Sequence, residues 1–129
     1  MDKQISSGLK TTFLIHFVVA GIFGLVLLLV PRMWGNLAGL EIVKTAIYRL
    51  VGTALLGFAA SSWLAYKETV WERVRIVAQM EIIGSALGAL VILWGLAFEG
   101  LPPLEWMNVV ILAGFAIAFA FFYSRARAA

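Results

Sequence analysis

Three ionisable residues interrupt strongly apolar stretches of the chain and are the first candidates for chemistry: His16, Arg49 and Glu81. A charged side chain in membrane hydrocarbon costs at least about 2.5–3.5 kcal/mol, so a residue of this kind is a functional candidate by default. The chain has one histidine and no cysteine. These counts exclude disulfides, thiolate metal sites and metal sites built from several histidines.

His16 and Glu81 are expected to lie at the same depth. Each follows a basic residue by six positions at the start of an apolar stretch, which corresponds to about 9 Å along a helix. The apolar stretch between these two runs toward the same side, and in it Ser61 lies six residues before Lys67, with Ser62 next to it. We therefore predict an intramembrane polar layer that contains His16, Glu81 and Ser61 or Ser62.

An imidazole and a carboxyl group that meet in such a layer form either a neutral hydrogen-bonded pair or an ion pair. The pair can relay a proton or hold a cationic ligand. The alternative is a structural hydrogen bond that fixes the helix register. His16 alone could also ligate the magnesium of a chlorophyll or one side of a haem iron, although we expect no cofactor.

Four apolar stretches carry these residues. The chain has 129 residues, of which 63% are hydrophobic and 13% charged, and its mean hydropathy is +0.98. A soluble domain of this length could not bury so much apolar surface, so residues 1–129 are predicted to form one transmembrane domain. A helix of about 20 residues crosses a bilayer. The four predicted helices cover residues 11–30, 45–66, 74–98 and 104–123. Residues 31–44 are predicted to form a loop on the outer surface.

Basic residues are distributed unevenly between the two sides of these helices. Seven lie on the side of the two chain termini and two lie in the loop 31–44 on the other side. Because cytoplasmic loops carry the excess of Lys and Arg, we expect both termini in the cytoplasm and the chain in a bacterial inner membrane. The predicted fold class is an all-α, antiparallel four-helix bundle. The scattered basic residues are unlike a nucleic-acid footprint, so no nucleic acid is expected as a partner.

Arg49 begins the second helix near the outer side of the membrane. A long basic side chain at a helix end normally extends to the interface. We expect Arg49 to do so, or to pair with one of the carboxylates of the outer loops, Glu41, Glu99 or Glu105.

Small residues give each helix a face for close packing. Helices in lipid associate through such faces, because lipid tails are as apolar as leucine. The faces serve contacts within one bundle, or one of them serves a second subunit or a second copy of the chain. The glycines predicted to pack are Gly24, Gly52, Gly57, Gly84, Gly88 and Gly114.

The start of the second helix carries a short motif. Pro31 ends the first helix, and the second opens with Arg49-x-x-Gly52-x-x-Leu-Leu-Gly57. This pattern resembles small bacterial membrane proteins of the DoxX-like group, over about half the chain. The resemblance implies a four-helix fold and a role as an accessory subunit or partner of membrane redox systems.

Short loops and the lack of a nucleophile, metal set or cofactor motif predict a non-catalytic accessory or scaffold subunit of a membrane complex. Its expected partners are the lipid bilayer and other membrane subunits, or a second copy of the chain. The alternative is a small proton-coupled transporter that uses Glu81 and His16 and works as an oligomer. A third alternative is an enzyme acting on lipid or quinone.

Overall fold

The computed structural model describes residues 2–129 and is entirely helical, which confirms the predicted all-α class. No strand occurs in this range, and a single bridge joins Gln4 to Val70. Five α-helices follow one another, with a 3₁₀ turn at Pro103–Glu105 before the last. The α-helices are α1 Ser7–Leu29, α2 Pro31–Ala38, α3 Thr45–Lys67, α4 Trp71–Phe98 and α5 Trp106–Ala128.

Four of the five helices, α1, α3, α4 and α5, are long and apolar enough to cross a membrane. Each of these helices extends past its predicted apolar stretch at one end, because the backbone hydrogen bonds continue into polar flanking residues. At the start of α1, for example, the Ser6 hydroxyl accepts a hydrogen bond of 3.2 Å from the Leu9 amide. This cap fixes the first turn ahead of the apolar stretch.

The helix surfaces that face away from the bundle are apolar. Leu50, Val91 and Ile117, on three different helices, are each exposed by about 70%. Contiguous apolar surface of this kind is rare on soluble proteins. It suits a lipid environment.

The predicted surface loop 31–44 contains α2. Pro31 occupies the first turn, where its missing N–H leaves no hydrogen bond unmade. The helix ends at Gly39, whose φ of 76° is in the left-handed region that glycine adopts without a steric penalty. The chain then turns into α3.

The most extensive helix contacts join α1 to α3 and α4 to α5. The backbones of α1 and α3 approach closely where Gly24 faces Gly52. A Cβ atom at Gly52 would lie 2.8 Å from the Gly24 carbonyl oxygen and 2.7 Å from the Leu28 amide nitrogen. Gly88 on α4 packs against Leu112 on α5, where a Cβ atom would lie 3.1 Å from the Leu112 Cδ1 atom.

The other three glycines do not take part in close packing within the chain. No atom lies within 4 Å of a Cβ built at Gly57 or Gly114, and a Cβ at Gly84 would meet only the Phe58 ring, at 3.9 Å. All three are on exposed helix surface. The Gly84-x-x-x-Gly88 motif is thus divided, because only Gly88 packs closely against a neighbouring helix.

The bundle is densely filled at the end where α1 and α4 begin and where α3 and α5 finish. Leu9, Phe13, Val74 and Phe119 are fully buried there, and Trp71 packs with them. We call this end the packed half. The N-terminal segment covers it, since the Trp71 amide donates a hydrogen bond to the backbone carbonyl of residue 3.

Candidate functional site

Three side chains of the predicted polar layer form a closed ring of hydrogen-bond contacts. The Ser62 Oγ atom lies 2.8 Å from His16 Nδ1 and 3.1 Å from Glu81 Oε1. His16 Nε2 lies 3.2 Å from Glu81 Oε2. The three residues come from α1, α3 and α4, so the ring joins the two helix pairs. We call it the His–Ser–Glu ring.

Ser61 lies at the edge of the ring. Its hydroxyl oxygen is 2.8 Å from the Phe58 carbonyl oxygen and 3.5 Å from Glu81 Oε1. The first distance is that of a good hydrogen bond and the second is at the outer limit. Ser61 therefore donates to its own helix while remaining close enough to serve Glu81 instead.

The ring is shielded from solvent. His16, Ser62 and Glu81 are exposed by 7%, 0% and 3%. On the α5 side the imidazole meets two aromatic rings edge to face, with centroids 4.7 Å from Phe115 and 5.7 Å from Phe119. No basic residue within the described range joins the ring.

The ring closes completely when it holds one shared proton. In that state His16 Nδ1–H donates to Ser62, and the Ser62 hydroxyl donates to Glu81 Oε1. The shared proton lies between Nε2 and Oε2. Its transfer from one atom to the other converts a neutral pair into an ion pair and breaks no hydrogen bond, because each donor keeps its acceptor.

Loss of the shared proton requires a different arrangement. Without it, Nε2 and Oε2 would be two acceptors facing each other. The other tautomer of His16 avoids this conflict, because Nε2–H then donates to Oε2 and the Ser62 hydroxyl turns to donate to Nδ1. Glu81 Oε1 loses its donor in the process, and the Ser61 hydroxyl is the neighbour that can replace it. The ring thus has two hydrogen-bond patterns that differ by one proton.

A cavity of about 390 Å³ adjoins the ring and lies between the two helix pairs. His16 belongs to its wall. The cavity extends from Phe115 past Asn108 on α5, about 10 Å along the helix axis, and Trp34 of α2 covers part of it. The remaining wall is mostly aliphatic and aromatic and contains no Lys or Arg. We call this end of the bundle the cavity half.

A second buried carboxyl group lies in the wall at the far end of the cavity. Glu105 is only 4% exposed, and its Oε2 atom accepts a hydrogen bond of 2.6 Å from the Asn108 side-chain amide. No Lys, Arg or His nitrogen of residues 2–129 lies within 4.0 Å of its carboxylate. Sequence reasoning assigned Glu105 to an outer loop and missed this role. The Glu-x-x-Asn spacing, which places the two side chains on one helix face, is the signal that could have revealed it.

Arg49 does not make the ion pairs considered for it. It is exposed and has no carboxylate partner within the described range. Glu105 is turned away from it, because the 3₁₀ turn that begins at Pro103 directs this side chain into the bundle. Arg49 lies instead beside a surface cleft with Pro31 and Arg32.

Both ring nitrogens of His16 are engaged, at 2.8 Å by Ser62 and at 3.2 Å by Glu81. Ligation of a haem or chlorophyll by His16 would therefore require the ring to open. Within residues 2–129 no three His, Asp or Glu side chains are grouped as a metal site.

No family model, curated protein or solved structure matches the chain. The DoxX-like resemblance stays a prediction from the motif at the start of α3.

Proposed function

We propose that the chain is a small proton-coupled carrier of the membrane, with the ligand in the cavity and the proton in the His–Ser–Glu ring. One observation carries this proposal: His16 belongs both to the ring and to the cavity wall. A ligand in the cavity contacts the imidazole directly. A ligand in the cavity can therefore interact with the ring, although the ring is buried from solvent.

The two hydrogen-bond patterns of the ring supply the coupling. A ligand shifts an equilibrium only by its different affinity for the two states. Here the states differ in the tautomer of His16 and in the net charge of the ring, and His16 lines the cavity. Ligand binding and proton binding are then linked, and by thermodynamic reciprocity each changes the affinity for the other.

We place the four long helices across the bilayer in alternating directions, with both termini in the cytoplasm of a bacterial inner membrane. The contact of Gly24 with Gly52 and of His16 with Ser62 supports opposite directions for α1 and α3. Basic residues at the packed half support a cytoplasmic location for that end, since Lys3, Arg75 and Arg127 line one cleft there. The cavity half then faces the outer side.

The experiment is a transport assay in liposomes with the full chain. The probes are a panel of neutral, cationic and anionic fluorescent aromatic solutes that fit a cavity of about 390 Å³. At least one probe should accumulate in response to an imposed pH gradient. Glu81→Gln should abolish this response, because the amide cannot take up the proton that the ring exchanges. The matched control is Glu99→Gln, since Glu99 is exposed and outside the ring and the cavity wall.

Two results would contradict the carrier proposal. One is that no probe responds to the pH gradient with the wild-type chain. The other is that Glu81→Gln and Glu99→Gln both retain the wild-type response, which would remove the ring from the mechanism.

A role as a non-catalytic accessory or scaffold subunit is the second candidate, and the exposed glycines favour it. Gly57, Gly84 and Gly114 leave open surface on α3, α4 and α5 where another helix can approach closely. The DoxX-like resemblance implies the same role. Purification from the native membrane should then yield a stoichiometric partner or a second copy of the chain, and Gly84→Leu should weaken that association. A monomer without partners would contradict this candidate.

A further inference from the structure

We infer that the cavity binds an organic cation, with Glu105 as the opposite charge and the aromatic wall as the second contact. The inference rests on the proposed function in that the cation is the carrier's cargo. It is carried, however, by residues at the far end of the cavity that take no part in the His–Ser–Glu ring.

The pairing of Glu105 is incomplete. Its carboxylate accepts one hydrogen bond, from Asn108, and has no cationic side chain of the described residues within 4.0 Å. A buried carboxylate without a cationic partner is disfavoured. The free space beside Glu105 is the cavity itself, so a positively charged ligand there would complete the pairing that the chain leaves open.

The aromatic side chains of the cavity wall also favour a cation. Phe23 and Trp34 line it and contact each other edge to face, with centroids 5.4 Å apart, and Tyr48 lines it as well. Aromatic faces attract cations and favour organic ones, such as quaternary or aromatic nitrogen cations. The wall has no Lys or Arg that would repel a cation or bind an anion.

The size and polarity of the cavity further restrict the chemical class of the ligand. Its volume of about 390 Å³ is within the range of small-molecule sites. Ca²⁺ and Mg²⁺ require six or more oxygen ligands or retained waters, which a mostly apolar wall does not supply. One carboxylate without a cationic partner matches one positive charge. The ligand is thus a monovalent cation with an apolar or aromatic body.

Binding to the full chain in lipid nanodiscs tests the inference with two probes of nearly equal shape. The cationic probe is 1-methyl-4-phenylpyridinium and the neutral probe is 4-methylbiphenyl. The wild-type chain should bind the cation at least about tenfold more tightly than the neutral probe, as expected for a charge-assisted contact in a buried site. Equal affinity for the two probes would overturn the inference.

Variants of the chain test whether the cation contacts Glu105. Glu105→Gln should weaken binding of the cation at least about tenfold and change binding of the neutral probe less than about twofold. The control Glu99→Gln, which removes an exposed acid near the same end of the bundle, should leave both affinities unchanged. Unchanged cation binding in Glu105→Gln would overturn the inference.

A second variant covers the case in which Glu105→Gln does not fold. Trp34→Leu keeps an apolar side chain and removes an aromatic face, so cation affinity should fall about threefold or more while the neutral probe is affected less. An equal loss for both probes would indicate a packing role only and would overturn the aromatic contact.

The same probes separate this inference from the carrier proposal. If the cation binds through Glu105 but no probe of the panel accumulates in response to a pH gradient, the inference holds and the carrier proposal fails. If a neutral or anionic probe accumulates through Glu81 and Glu105→Gln has no effect, the carrier proposal holds and the inference fails.

Discussion

The packed half and the cavity half each border a buried carboxyl group, and the two groups are paired very differently. Glu81, beside the packed half, faces His16 and Ser62 on two other helices, with Ser61 nearby. Glu105, in the cavity half, accepts one hydrogen bond from a residue three positions away. Burial alone therefore does not define a site. A carboxyl group whose partners are complete can hold a proton, whereas one with a missing partner can hold a ligand.

The cavity is not a result of loose packing throughout its half. The close backbone contact between α1 and α3, at Gly24 and Gly52, lies at the same end of the bundle. The cavity lies between the α1–α3 pair and the α4–α5 pair.

Removal of a large side chain should distinguish the two halves most strongly. Phe119→Ala empties a fully buried position of the packed half, and the lost packing should lower the free energy of unfolding by about 2–3 kcal/mol. Phe23→Ala enlarges the existing cavity and removes one edge-to-face contact with Trp34, so it should cost less, about 1 kcal/mol. Unfolding in mixed micelles measures both. Equal losses would mean that the cavity half is filled in the folded protein.

The close contact of α1 with α3 should tolerate no added atom. Gly52→Ala brings a Cβ atom within 2.8 Å of the Gly24 carbonyl oxygen, so the helices have to separate and stability should fall by about 1–3 kcal/mol. Gly57→Ala, on the same helix with open space around it, is the matched control. It should be neutral or slightly stabilising, because alanine favours a helix. A neutral Gly52→Ala would show that the two helices are not held at this distance.

Replacement of Ser62 by alanine should lower stability more than replacement of the adjacent Ser61. Ser62→Ala removes the residue that bridges His16 and Glu81 and should lower stability by about 1–2 kcal/mol, because two buried polar atoms lose a partner. Ser61→Ala removes only a weak contact with Glu81, at 3.5 Å, and a bond to its own helix. Its effect should be under about 0.5 kcal/mol. The same unfolding assay decides, and a larger effect at Ser61 would contradict the bridge assigned to Ser62.

The ring could be predicted from the sequence because its members can be located by counting. Basic residues mark one end of each long helix, and the constant rise per residue converts sequence distance into depth. This count brought His16, Glu81 and the two serines to one level. It could not give the hydrogen-bond partners, since the rotation of each helix about its axis depends on packing across the bundle.

Glu105 could not be placed in the same way. It follows Pro102-Pro103 at a helix boundary, where hydropathy favours an exposed acid. Its burial depends on the 3₁₀ turn, in which the Glu105 amide donates to the Pro102 carbonyl and the side chain turns inward. The glycine faces had a similar limit, because Gly57 and Gly114 have the same local pattern as Gly24 but face open space. Local sequence does not specify which face of a helix meets a neighbour.

The titratable groups that line the cavity are His16, Tyr48 and Glu105, and the ring adds Glu81. A cation in the cavity favours the state of the ring that has the lower net charge, which is the state without the shared proton. We therefore expect the ring to release its shared proton when the cation binds, with the accompanying change of His16 tautomer. The Ser62 hydroxyl then donates to Nδ1, which no longer carries a proton.

The coupling of the ring to the cavity is tested most directly by the ¹⁵N NMR spectrum of His16, which is the single histidine of the chain. In ¹⁵N-histidine-labelled protein in nanodiscs, Nδ1 should carry a proton before the probe is added. Saturation with 1-methyl-4-phenylpyridinium should remove the one-bond N–H coupling at Nδ1, and Nε2 should then show a full one-bond N–H coupling. If the cation binds and both His16 signals stay unchanged, the ring and the cavity are not coupled.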